Sequence, residues 1–221
     1  MNELLVRPDI SRLADLRGRT YVVDAPNTAY ALIGRKILKN AGLEDGKDYK
    51  LDPVGNSEAR TKSLDTPAGA ATLLNPPWNF LAKERGAKSL GMTATLFGPY
   101  QAGGIFVMRT WATKNASALE RYLAAYIEGC RAAQNPAQRE LTLQVLMREL
   151  KVDRRIAELT YNELNLAGSG LFKDCGWDMQ AFRNVLALRA EIEGQWGGKP
   201  PEPEKFLDLS FYNRALKIIS P

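Results

Sequence analysis

Two regimes of apolar and polar positions divide the chain. In the first half, short apolar runs are separated by turn residues and by helical stretches of about ten residues. "RTYVVDA" (19–25) reads as a strand, and residues 28–41 read as a helix stopped by Gly42, where a left-handed residue is easiest. "KDYKLDPVG" (47–55) is a second strand candidate, followed by the helical piece "SEARTKSL" and the apolar run "AGAATLL". "NPPW" ends that run, "WNFLAKERG" reads as a helix closing at Gly86, and "AKSLGM" is a short extended piece. "GGIFVMRTWA" (103–112) carries the strongest strand pattern in the chain. Strands alternating with helices predict a parallel α/β sheet.

The second half is helical. "NASALERYLAAYIEGCRAAQ" places Leu119, Tyr122, Leu123, Tyr126 and Ile127 on one face at helical spacing. "AQRELTLQVLMREL" puts Leu141, Val145, Leu146 and Leu150 on a stripe, and "DRRIAELTYNEL" follows with Asp153 as its N-cap. A glycine-rich break leads to "DMQAFRNVLALRAEIEG" and, after a proline-rich stretch, to the short helix "LSFYNRAL". The predicted organisation is an α/β ligand-binding lobe over 1–102, then a strand and helical part over 103–221.

Composition narrows the chemistry. The 221 residues carry 30 basic and 25 acidic side chains, interspersed, for a net charge of +5. That surface attracts small anions without demanding nucleic acid, and no basic stripe with interleaved aromatics points to one. Histidine is absent, which excludes Ser-His and Cys-His nucleophile pairs and imidazole metal sites. Cys130 and Cys175 have no C-x-x-C spacing and read as plain buried thiols, with a disulfide open in an oxidising compartment. No apolar run is long enough to span a membrane, and residues 1–8 are too short and polar for a signal peptide.

The order of pieces resembles the substrate-binding proteins of ABC importers, in the branch that handles sulfonates, taurine, nitrate and thiamine-pyrimidine precursors. The elements that carry the resemblance are Asp15-Leu16-Arg17-Gly18-Arg19 before a strand, the polar turn at 24–28, Gly42-Leu43, and "DYKLDPVG". "AATLLNPPW", "FVMRTWATKNASALERYLAAYIEG" and the element from Asp208 to Leu216 continue the series. Two departures stand out. The first strands of one lobe, which family members carry ahead of this region, have no counterpart here, and "DTPAGAAT" lacks the family's acidic residue. The resemblance implies a type II periplasmic-binding-protein fold with its second lobe incomplete. It also implies periplasmic localisation, no cofactor, capture of a small ligand between lobes, and an ABC permease as partner. An uncovered sheet edge would favour a homodimer.

The candidate ligand contacts are Asp24, Asn27, Thr28, Asn56, Arg60, Asn75, Trp78 and Tyr100, most of them just after predicted strand ends. In parallel α/β sheets the crevice lies at the carboxyl ends of the strands. The first amides of the following helix lack internal partners and favour an anion. Each residue has a plainer reading. Asn27 and Thr28 cap a helix, "NPP" stops a strand, Trp78 sits in the core, Arg60 lies on the surface, and Tyr100 occupies a glycine-bounded loop. Arg60 as a planar fork of donors suits a sulfonate, carboxylate or phosphate. The rival function is an enzyme on the same scaffold acting on a small organic acid, with Asp24 or Asp52 as its acid-base group.

Overall fold

The computed structural model describes residues 2–219. Its first ninety residues build a five-stranded sheet in the order β3-β2-β4-β1-β5, with β1 at Glu3–Val6, β2 at Arg19–Val23, β3 at Tyr49–Pro53, β4 at Ala71–Leu74 and β5 at Lys88–Met92. β2 runs parallel to β3 and β4. β1 runs antiparallel to both β4 and β5. The sheet is therefore mixed, not all-parallel as the alternating pattern predicts. Its one reversed strand comes from the N-terminal residues, where four apolar-dominated positions are too short a run to signal a central strand.

Both faces of the sheet are covered, which makes the three layers. Leu4, Val6 and Leu73 face one cluster with Tyr21, Leu32, Ile33 and Ile37. Leu5 and Leu74 face the other, with Leu64 and Ala82 and the ring of Trp78 against them. Alternate residues of β1 and β4 thus enter opposite cores, and full burial of each leucine contributes about 2 kcal/mol. On the first face lies α1 (Ala29–Asn40), backed by α9 (Met179–Glu193). On the second lie α2 (Ser57–Ser63) and α3 (Trp78–Glu84). α1 ends as predicted: Gly42 takes φ +77° and the Leu43 amide returns to the Leu38 carbonyl at 2.9 Å.

β5 runs into the short helix α4 (Thr93–Leu96), and the helical half follows as α5 (Arg109–Lys114), α6 (Ala116–Gln134), α7 (Arg139–Leu150), α8 (Arg154–Leu164), α9 and α10 (Ser210–Ile218). Asp153 caps α8, its carboxylate accepting from the Ile156 amide at 2.8 Å. The strand predicted over 103–112 does not form. Residues 101–108 are irregular and, from 102 on, exposed, and 109–114 are helical. A strand needs a neighbour, and this segment pairs with none of the five strands of the sheet. The apolar stripes also differ from expectation. Leu119 and Ile127 of α6 are buried, but Tyr122 and Tyr126 are exposed; on α7 Leu143 is buried while Leu141, Val145 and Leu150 face solvent. Cys130 and Cys175 form a disulfide with Cα atoms 6.6 Å apart, tying α6 to the 173–175 turn, so the reading as plain thiols is corrected.

Candidate functional site

Three parallel strands end side by side. Val23 pairs with Pro53, and Tyr21 pairs with Ala71, so the turns after β2, β3 and β4 share one edge of the sheet. The side chains on that ledge begin with helix caps. Thr28 precedes α1 and its hydroxyl accepts from the Ala31 amide at 3.4 Å. The same hydroxyl donates to the Asp24 carboxylate and lies 3.0 Å from the Ala25 carbonyl. Asn56 caps α2, its side-chain oxygen accepting from the Ala59 amide at 2.9 Å. Asn27 is exposed at the tip of the first turn. The geometry supports the capping reading of Thr28 and makes Asn56, expected only as a ligand contact, a cap as well, which leaves the Asn56 amide nitrogen and Asn27 facing outward.

Beneath the caps a polar chain joins the three turns. Tyr30, in the first turn of α1, donates its hydroxyl to Asn75 Oδ1 at 3.2 Å, and Asn75 Nδ2 donates to the Pro76 carbonyl at 3.3 Å. Arg60 reaches back from α2 to stack its guanidinium 4.2 Å from the centre of the Tyr30 ring. It donates to the Leu73 carbonyl at 2.5 Å and to Ser57 Oγ at 2.9 Å. Only 1% of Arg60 is exposed, so the surface reading is corrected. Its Nε has no partner, and no carboxylate among the described residues pairs with it. A buried cation held by neutral acceptors alone projects its charge on its surroundings more strongly than a solvated one. Sequence reasoning names Arg60 and Asn75 but misses Tyr30, the residue that connects them. Its position two residues past a helix cap was the available signal.

Two candidates lie elsewhere. Trp78 packs on the core under α3 and lines a depression of about 240 Å³ with Glu58, Thr61, Lys62, Leu81, Glu84 and Arg85, on the outer side of α2 and α3. Its core reading is the correct one. Tyr100 meets Phe97 edge-on at 6.0 Å and packs beside α9, where burial raises its phenol pKa. A second polar cluster, unmarked by any motif, sits where Glu3 opens β1. Asn79 Nδ2 donates to Glu3 Oε2 at 3.1 Å and to Glu163 Oε2 at 3.2 Å, and Lys83 pairs with Glu3 at 2.8 Å. Burial lifts the Glu163 carboxyl above its ordinary pKa.

No family model and no curated protein matches this sequence. Solved structures do match its shape. The periplasmic nitrate-binding protein NrtA from Synechocystis PCC 6803 superposes with a TM-score of 0.75 over 99% of this chain, at 14% identity. The chain has the periplasmic substrate-binding fold. The periplasmic aliphatic sulphonate binding protein SsuA from Escherichia coli matches 73% of the chain with a TM-score of 0.60 and 19% identity. The desulfurization enzyme DszB matches 99% of it with a TM-score of 0.59 and 13% identity. This chain spans 65% of NrtA, 51% of SsuA and 76% of DszB. The α/β, binding-protein-like fold expected from the ordered series of pieces is the one found.

Proposed function

We propose that the chain captures a small organic anion at the shared edge of β2, β3 and β4 and works with an ABC importer. The observation that carries this reading is Arg60, a buried guanidinium without a carboxylate partner among the described residues, set under the turns after three parallel strands. Such a charge is costly to bury, and a bound anion above it offsets that cost. At the same end of the sheet are the first amides of α1, at the positive end of a twelve-residue helix, and the Asn27 and Asn56 side chains. Asp24 adds one negative group to the ledge, which suits a ligand that carries a hydroxyl or amine donor beside its anionic head.

The fold relatives named for sulfonate and nitrate binding agree with an anionic ligand class. The Cys130–Cys175 disulfide agrees with an oxidising compartment such as the periplasm. A membrane permease is the partner this reading implies, and a second copy of the chain is another. Residues 1–102 carry the ledge, and 103–221 supply the helical part.

The enzyme reading is favoured by one observation, the likeness to DszB. Against it, the chain holds no histidine and both cysteines are joined in a disulfide, so neither supplies an imidazole base or a free thiolate. Thermal denaturation against a panel of alkanesulfonates, nitrate and short carboxylates tests the proposal. One anion class should raise the melting temperature saturably and be recovered unchanged. No shift at about 100 times micromolar affinity, or recovery of a converted product, would overturn it.

A further inference from the structure

The segment that fails to become a strand is nevertheless tethered at both ends. At one end the Gln101 amide donates to the Ala181 carbonyl at 3.4 Å, and the Gln101 side chain accepts from the Asp178 amide at 3.2 Å. Gly104 lies so close to the Trp177 ring that an added Cβ would stand 2.9 Å from it. At the other end Arg109 donates to the Lys205 carbonyl at 3.2 Å. Between these tethers the backbone groups of Ile105, Phe106 and Val107 have no partner among the described residues. Exposure alternates along it, at 43% for Ile105, 95% for Phe106, 41% for Val107 and 76% for Met108. That is the period of a strand, with Ile105 and Val107 on its less open face and Phe106 and Met108 on its more open one.

We propose that residues 104–108 pair antiparallel with the same residues of a second copy of this chain. The inference rests on the self-association put forward above and names the contact that makes it. The sequence argues for a copy over a foreign strand, because no charged residue occurs from Gly98 to Met108 and no lysine or proline occurs within 104–108. In a two-fold register centred on Phe106, Ile105 faces Val107, Gly104 faces Met108, and Arg109 meets Gly103. No like charges oppose one another, and the aromatic and β-branched side chains meet as cross-strand pairs. The same patch serves both partners, as a closed two-fold interface requires.

Light scattering of the native chain over a concentration series, beside Phe106→Asp, tests this. Phe106 is almost wholly exposed, so the substitution leaves the monomer's fold intact, while two carboxylates would face each other across the pair. The native chain should be a dimer, and the variant's dissociation constant should rise at least about tenfold with unchanged circular dichroism. A native monomer throughout would overturn self-association and the strand pair together. A dimer indifferent to Phe106→Asp would overturn the strand pair alone and place the interface elsewhere.

Discussion

Arg60 comes from α2 and Tyr30 from the first turn of α1, yet the guanidinium lies 4.2 Å over the centre of the phenol ring. The hydroxyl of that ring reaches Asn75, so the stacked pair connects the turns after three strands. Two roles for Arg60 give different outcomes in Arg60→Met. If the residue is a rivet, its loss should cost about 3–5 kcal/mol, as for other broken buried networks. If it is a charge retained for a ligand, methionine fills its space and removes an uncompensated buried cation. We expect the second result: ligand-free stability within about 2 kcal/mol of native, and anion affinity down by about tenfold or more. Chemical denaturation without ligand and calorimetric titration with it separate the two.

Thr28 makes a narrower point. Its hydroxyl already serves Asp24 and the Ala31 amide, so it has little left for a ligand. Thr28→Ala should cost about 1 kcal/mol in denaturant unfolding, the usual loss for an N-cap, and Thr28→Ser should restore nearly all of it. An affinity loss in the serine variant larger than its stability loss would show that the threonine touches ligand after all.

Much of this architecture is local in origin and therefore legible in the sequence. β2, α1 and its Gly42 stop, β3, and the caps at Thr28 and Asp153 each follow from a few adjacent residues. What escaped notice depends on distant partners. β1 becomes a central strand only because β4 and β5 close on both its sides, and residues 103–112 have strand chemistry but no sheet beside them. Arg60 looks like a surface residue because nothing near it in sequence shows that Tyr30 and Leu73 will enclose it. The Glu3–Asn79–Glu163 cluster draws on three remote segments and has no spacing to recognise.

The disulfide bounds a stretch with a sequence separation of 45, so its entropic effect on the unfolded chain is computable. A loop of that size corresponds to about 4 kcal/mol at 25 °C in the chain-entropy account. Reduction should lower the melting temperature by roughly 8–16 °C, at about 2–4 °C per kcal/mol for a domain of this size. Scans with and without reductant measure it, and Cys130→Ser should match the reduced protein. A shift under about 2 °C would mean that the reduced chain retains compact structure around α6 and α10.

Glu163 gives the fold a pH dependence whose sign follows from its surroundings. The carboxyl comes from α8 and meets Asn79 on α3, with Glu3 on β1 and Lys83 on α3 facing the same place; burial is the largest influence and Glu3 adds to it, while Asn79 and Lys83 oppose. The net effect is a folded-state pKa above the ordinary 4.5. The folded protein therefore holds this proton more tightly than the unfolded chain. The associated stability is fully present below pH 4.5, and it is lost as pH rises from there through the raised folded value. Glu163→Gln mimics the protonated acid at every pH. It should flatten that part of the profile and leave the protein at least as stable as native at neutral pH. Urea midpoints for both proteins across pH 4–8 decide the matter, and a variant whose stability falls in parallel with the native chain would remove Glu163 as the source.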